Sequence, residues 1–141
     1  ITSCSYKPIF LEKNYDFQVR EISLTGDKDI NRTIQNKLKF IKNDQNNKKN
    51  YNINIKSTKK RKIVSKDSKG DPVKFEINIL VEYKIISDNN TLLNNKIEKK
   101  NIYNNDSDPF KLEQTENIIL QNLSESIGDA IISSIINLDD N

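Results

Sequence analysis

Between residues 73 and 85 every odd position is apolar: Val73, Phe75, Ile77, Ile79, Val81, Tyr83 and Ile85, whereas the even positions are polar apart from Leu80. A period of two matches the alternating faces of a strand and no helix, so this stretch must be β with one face buried. Tyr51, Ile53 and Ile55 repeat the pattern between Asn52, Asn54 and Lys56, which predicts a second half-buried strand with room to continue through Ser57 to Ser65. Lys66-Asp67-Ser68-Lys69-Gly70 supplies the turn between the two. A further turn at Ser87 to Asn90 leads into Leu92 to Tyr103, a polar stretch carrying Lys96, Lys99 and Lys100. Lysines of this kind protect an edge strand from pairing with foreign chains.

Upstream, Phe17 to Leu24 is rich in β-branched and aromatic residues and is closed by Thr25-Gly26, so it reads as a strand. Phe17 and Val19 share one parity and Ile22 and Leu24 the other, which requires a bulge or burial on both faces. Asp27 and Asp29 then offer N-cap oxygens to a helix whose Ile30, Ile34, Leu38 and Ile41 form a single apolar stripe. Residues 43–50 contain no apolar side chain and read as a solvated loop. Asp108-Pro109 opens the last element, with a capping carboxylate followed by proline at the first helical position. Leu112, Ile119, Leu120, Leu123, Ile127, Ala130, Ile131, Ile135 and Leu138 then form a core-facing stripe. Ile118, Ile132 and Ile136 fall outside its narrowest version, so this helix either covers a whole sheet or also docks on a partner.

The element order is β-α-β-β-β-α. It predicts a single α+β domain over residues 17–141, a two-layer sandwich of about four strands covered by two helices. If the first helix joins parallel neighbours, its crossover should be right-handed.

Composition narrows the function. The mean hydropathy is −0.76, and the net charge of +3 arises from 23 Lys+Arg against 20 Asp+Glu. Ile (22), Asn (21) and Lys (20) make 63 of 141 residues, a bias expected of an AT-rich coding sequence, so basicity is weak support for a nucleic-acid partner. With no His and a single Cys, the chain has no histidine base for a serine nucleophile, no Cys/His zinc site and no disulfide framework. The tightest carboxylate clusters, Asp106-x-Asp108 and Asp139-Asp140, lie at chain or helix ends where capping and solvation account for them. The expectation is a protein that is not an enzyme and carries no cofactor or metal.

The chain opens Ile1-Thr2-Ser3-Cys4, with an aliphatic residue three positions before its cysteine and small residues between. This resembles the end of a bacterial lipobox, where the cysteine sulfur takes a diacylglyceryl group and cleavage leaves the acylated cysteine first. The competing reading is a buried free thiol. On the lipobox reading residues 1–3 are a processing remnant and 4–16 a lipidated lead-in. Several acyl chains on Cys4 would anchor the protein stably. Ser5 stands where Asp would signal inner-membrane retention, so sorting to the outer membrane is expected. No run of about 20 apolar residues is present.

A wider resemblance rests on Cys4-x-Tyr6-x-Pro8-Ile9-Phe10, Val19-Arg20-Glu21-Ile22, Gly26-Asp27, and a helix with Ile30, Arg32 and Leu38. Tyr51, the Gly70 hairpin, the Phe75 to Tyr83 strand, Tyr103-Asn104 and Asp108-Pro109-Phe110 continue it over nearly the whole chain. Together these are similar to the LPS-assembly lipoproteins of Gram-negative bacteria, the LptE family. The resemblance implies an outer-membrane lipoprotein on the periplasmic side that plugs the large LptD β-barrel, assists its assembly and helps deliver lipopolysaccharide to the outer leaflet. It implies the barrel, lipopolysaccharide and the outer membrane as partners, and no nucleic acid. A generic lipoprotein scaffolding another envelope complex is the alternative.

The Lys59-Lys60-Arg61-Lys62 run lies outside this resemblance. With the turn centred on Ser68, Ile55 faces Val81, Lys59 faces Ile77 and Arg61 faces Phe75, which sets cations beside apolar side chains. Such a surface suits phosphates on a lipid body, so Lys59, Lys60, Arg61, Lys62, Lys66 and Lys69 are candidate lipopolysaccharide contacts. Solvated lysines on a hairpin tip, or a bulge that turns the cations outward, would explain the run equally. Ile118, Ile132 and Ile136 are the candidate partner interface, and Cys4 the candidate lipid attachment site.

Overall fold

A computed structural model describes residues 17–41 and 49–139. The elements are β1 (Phe17–Gly26), α1 (Lys28–Leu38), β2 (Lys49–Lys66), β3 (Pro72–Ser87), β4 (Asn90–Asn104) and α2 (Pro109–Asp139). The strands form one sheet in the order β1-β2-β3-β4, with β1 parallel to β2 and the rest antiparallel. β4 is therefore an edge strand, as its lysines predict.

The change of parity in β1 is resolved by a bulge. Val19 pairs with Tyr51 and Glu21 with Asn52, so Arg20 is the extra residue and Ile22 and Leu24 return to the face of Ile53 and Ile55. That face is the buried one, and both helices lie on it. α1 lies against β1 and β2, α2 against β3 and β4, and the helices pack on each other. The core joins Ile30, Ile34, Leu38 and Ile41 to the odd positions of β2 and β3 and to Ile127, Ile131 and Ile135 of α2. The result is a two-layer α+β sandwich, with the even positions of β2, β3 and β4 on a largely polar face that no described element covers.

Local chemistry sets the ends of the elements. Asp27 caps α1, its carboxylate accepting from the N–H of Asp29 and Ile30 at 3.0 Å each, while Asp108 accepts from Phe110 N–H at 3.0 Å at the start of α2. Gly26 has φ +100°, and a Cβ there would lie 2.0 Å from the Ser57 carbonyl oxygen. Only glycine allows β1 to approach β2 this closely before turning into α1. The junction is bound by a small polar network: Asp27 N–H donates to Ser57 Oγ at 3.0 Å, Ser57 Oγ–H to Asn31 Oδ1 at 2.7 Å, and Asn31 Nδ2 to the Thr25 carbonyl at 3.0 Å.

In the long hairpin the expected register is off by two residues. Ile55 faces Tyr83, Lys59 faces Ile79 and Arg61 faces Ile77. The tip is organised by Asp67, whose carboxylate accepts from Lys69 and Asp71 N–H at 2.9 Å each, so the turn centres on Lys69. A shift of two preserves parity, which is why the inward positions from Phe75 to Ile85 are those the alternation predicts. The β3–β4 turn places Asp88 (φ 51°) and Asn89 (φ 65°) in the left-handed region, as a two-residue hairpin loop requires.

Candidate functional site

β1 ends opposite Ser57, so beyond that point β2, β3 and β4 project as a three-stranded extension, and the basic run lies on it. Strand alternation divides the run between two faces. Lys59 and Arg61 share the helix-side face with Ile79, Ile77 and Lys99, while Lys60 and Lys62 lie on the uncovered face beside Asn78 and Glu76. The hairpin's bulge lies between Ile63 and Ser65, after the run, so it does not reset the phase of the four cations. Lys59, Lys60, Lys62, Lys66 and Lys69 are all exposed. Lys62 Nζ lies 3.6 Å from Glu76, whose side chain is only 8% exposed.

Arg61 differs from its neighbours in being held. Its Nε donates to Glu116 Oε2 of α2 at 2.7 Å and to the Tyr103 hydroxyl of β4 at 3.3 Å. Its guanidinium carbon sits 3.9 Å from the centroid of the Phe75 ring, a cation–π placement. Tyr103 in turn donates its hydroxyl proton to Glu116 and packs against Phe75 with ring centroids 5.8 Å apart. One cluster thus ties β2, β3, β4 and the first turns of α2 together. Burial pushes the Tyr103 phenol up to about 12, with the Glu116 hydrogen bond acting in the same direction. Burial works against the Arg61 charge, but the hydrogen bonds to Glu116 and Tyr103 outweigh it and hold the guanidinium above its ordinary value. Sequence reasoning missed this cluster because Glu116 is far away in the chain and marked by no local pattern.

The same end of the molecule carries exposed apolar side chains: Ile63 (44% exposed), Val64 (43%), Val73 (40%), Ile102 (51%) and Phe110 (80%). Asn105 holds these segments together, donating its N–H to the Val73 carbonyl at 2.8 Å and its side-chain amide to the Pro72 carbonyl at 3.0 Å. Val73, expected to point inward, stands at the tip where the apolar layer ends. Lys59, Lys60, Lys62, Lys66 and Lys69 share this end of the molecule with these apolar residues, divided between its two faces.

The three isoleucines assigned to a partner interface separate. Ile132 is 1% exposed and belongs to the core, and Ile136 is half-buried against it. Only Ile118, 61% exposed, remains available on the surface. The broad apolar arc of α2 is accounted for by its packing on both the sheet and α1. That contact is close at Gly128, where a Cβ would lie 3.0 Å from Lys37 Cγ, and Lys37 pairs with Asp129 at 3.1 Å. Cys4 and the motif from Tyr6 to Phe10 lie outside the described residues. Among the described residues no helix is long and apolar enough to cross a membrane.

No protein-family model matches the sequence, and no curated protein matches it significantly. Solved structures do match. Rare lipoprotein B from Shewanella oneidensis superposes with a TM-score of 0.66 over 86% of this chain and 98% of that one, at 17% identity. An uncharacterized lipoprotein B from Nitrosomonas europaea gives 0.65 over 95% and 92%, at 14% identity. A minor lipoprotein from Acinetobacter baumannii gives 0.57 over 82% and 92%, also at 14% identity. The chain has the fold of these bacterial lipoproteins. At such identities the likeness is one of fold, and it spans nearly the full length of both partners.

Proposed function

We propose that this protein is a lipid-anchored envelope lipoprotein of the LptE type, which plugs the LPS-translocating LptD-like β-barrel from the periplasmic side and helps deliver lipopolysaccharide to the outer leaflet. The observation that carries the reading is the near full-length fold match to lipoproteins, joined to the lipobox-like Ile1-Thr2-Ser3-Cys4. Physical chemistry supports the role. The lumen of a large outer-membrane barrel is polar, and the uncovered sheet face offers Lys56, Lys60, Glu82, Lys84, Lys96, Glu98 and Lys100 to it. The exposed lysines at the hairpin end, with Ile63, Val64, Val73 and Ile102 beside them, suit phosphate groups on an acyl-chain body. Lys59, Lys60, Lys62, Lys66 and Lys69 are the contacts available for this, whereas Arg61 is engaged within the fold.

The test is to express the full precursor with an affinity tag in a Gram-negative host, recover it from outer membranes, and identify by mass spectrometry the state of Cys4 and the co-purifying proteins. Acylated Cys4 with a large β-barrel at about one to one is the expected result. Acylated Cys4 with a different envelope complex would replace the barrel by another partner, and an unmodified Cys4 would remove the anchor.

A further inference from the structure

β1 covers only the first half of β2. Its pairing ends with Gly26 opposite Ser57, where Asp27 turns away and donates its N–H to the Ser57 carbonyl at 3.2 Å. β2 continues to Lys66 with β3 on one side. Among the described residues nothing pairs with its other side beyond Ser57. Strand geometry identifies the backbone groups left there. In an antiparallel ladder each residue's N–H and C=O point to the same side, and successive residues alternate. The Ser57 carbonyl points to the β1 side, since Asp27 reaches it. The β2–β3 register runs unbroken from Asn52 to Ile63, so the N–H and C=O groups of Lys59, Arg61 and Ile63 point outward at the free edge. From Ser57 to Ile63 this edge spans roughly 20 Å at ~3.3 Å per residue, and the bulge after Ile63 ends it.

An open edge is a template for another strand, and the side chains decide which strand fits. Lys60 and Lys62 flank the edge on the uncovered face, and Lys59 on the other, all exposed. A second copy paired antiparallel about Arg61 would set Lys60 against Lys62 and Arg61 against itself, and like charges directly opposite are unfavourable. Carboxylates at those positions are favourable. We propose that the outer edge of β2 from Lys59 to Ile63 is a strand-addition site for an extended acidic segment of a partner protein, with carboxylates at alternate positions facing Lys60 and Lys62. The inference rests on edge geometry and charge, and does not depend on the barrel reading.

The experiment uses the full chain labelled with ¹⁵N, titrated with a short peptide alternating Glu and Val and, separately, with one alternating Lys and Val. Amide shifts and hydrogen exchange are followed at each residue. The acidic peptide is expected to bind and to protect the N–H groups of Lys59, Arg61 and Ile63 while the basic one does not. The Lys59→Pro variant removes an outward N–H without breaking a bond to β3, and is expected to keep the fold and lose binding. The Lys60→Ser/Lys62→Ser pair should weaken binding roughly two- to tenfold. Absence of binding, shifts located elsewhere, or undiminished binding by folded Lys59→Pro would overturn the proposal. So would protection of these amides in the free chain, which would mean that the chain's own residues or a second copy already occupy the edge.

Discussion

Arg61 and Lys60 are adjacent members of one basic run, yet the structure gives them different tasks, and their replacement by serine should separate the two. Arg61→Ser removes a half-exposed ion pair with Glu116, contributing about 0.5–1 kcal/mol. It also removes the cation over Phe75, which contributes a further ~0.5–1 kcal/mol. Tyr103 and Glu116 keep their mutual hydrogen bond, so no buried group is orphaned and the total loss should be about 1–2 kcal/mol. At a urea m-value of ~2 kcal/mol/M, this lowers the unfolding midpoint by about 0.5–1 M. Lys60→Ser, at an exposed position without such partners, should change stability by less than about 0.5 kcal/mol. The assay is equilibrium urea unfolding followed by far-ultraviolet circular dichroism, extended to a double-mutant cycle of Arg61→Ser with Glu116→Gln. The cycle should return a coupling of about 0.5–1 kcal/mol. Equal stabilities for the two single variants, or a coupling of zero, would refute the assignment of Arg61 as a tie between the hairpin and α2.

Gly26→Ala forces a Cβ against the Ser57 carbonyl at positive φ and should cost at least about 2 kcal/mol. Gly70→Ala, also at positive φ but in open space, should cost about 1 kcal/mol, both variants being measured by urea unfolding. Ile132→Lys buries a charge in the core and should abolish cooperative folding, while Ile118→Lys should leave stability within about 0.5 kcal/mol, both checked by circular dichroism melts. The Tyr103 phenol is raised from 10.0 to about 12 on folding. The folded state therefore holds its proton where the unfolded chain releases it, so this contribution to stability is full below pH 10 and is lost as pH rises toward 12. Urea unfolding across that range should show a steeper alkaline decline for the native protein than for Tyr103→Phe.

Much of the architecture was legible because each element carries its own period. Odd-position apolar residues marked β2 and β3, Asp27 and Asp108 marked the helix starts, and the parity change within Phe17–Leu24 called for a bulge or burial on both faces, of which the structure shows the bulge, at Arg20. What sequence reasoning could not reach depended on long-range placement. The hairpin register moved by two residues because the hydrogen bonds of Asp67 shift the turn centre, a choice that parity does not constrain. Ile132 belongs to the core because α2 packs on α1 as well as on the sheet, which widens its buried arc beyond one stripe. The special status of Arg61 within its run came only from Tyr103 and Glu116, both distant in sequence. The free edge of β2 was hidden for a similar reason, since it depends on where β1 stops.

The proposed role places the uncovered face of β2, β3 and β4 against the inner wall of an outer-membrane barrel, and site-specific photocrosslinking tests this most directly. A photoreactive residue at Lys84 or Lys96, both exposed on that face, would be activated in intact cells and the adducts identified by mass spectrometry. Adducts to a single large β-barrel protein of the outer membrane are expected from both positions. Adducts confined to soluble or inner-membrane proteins, or none from either position in a folded and membrane-recovered protein, would contradict the proposed role.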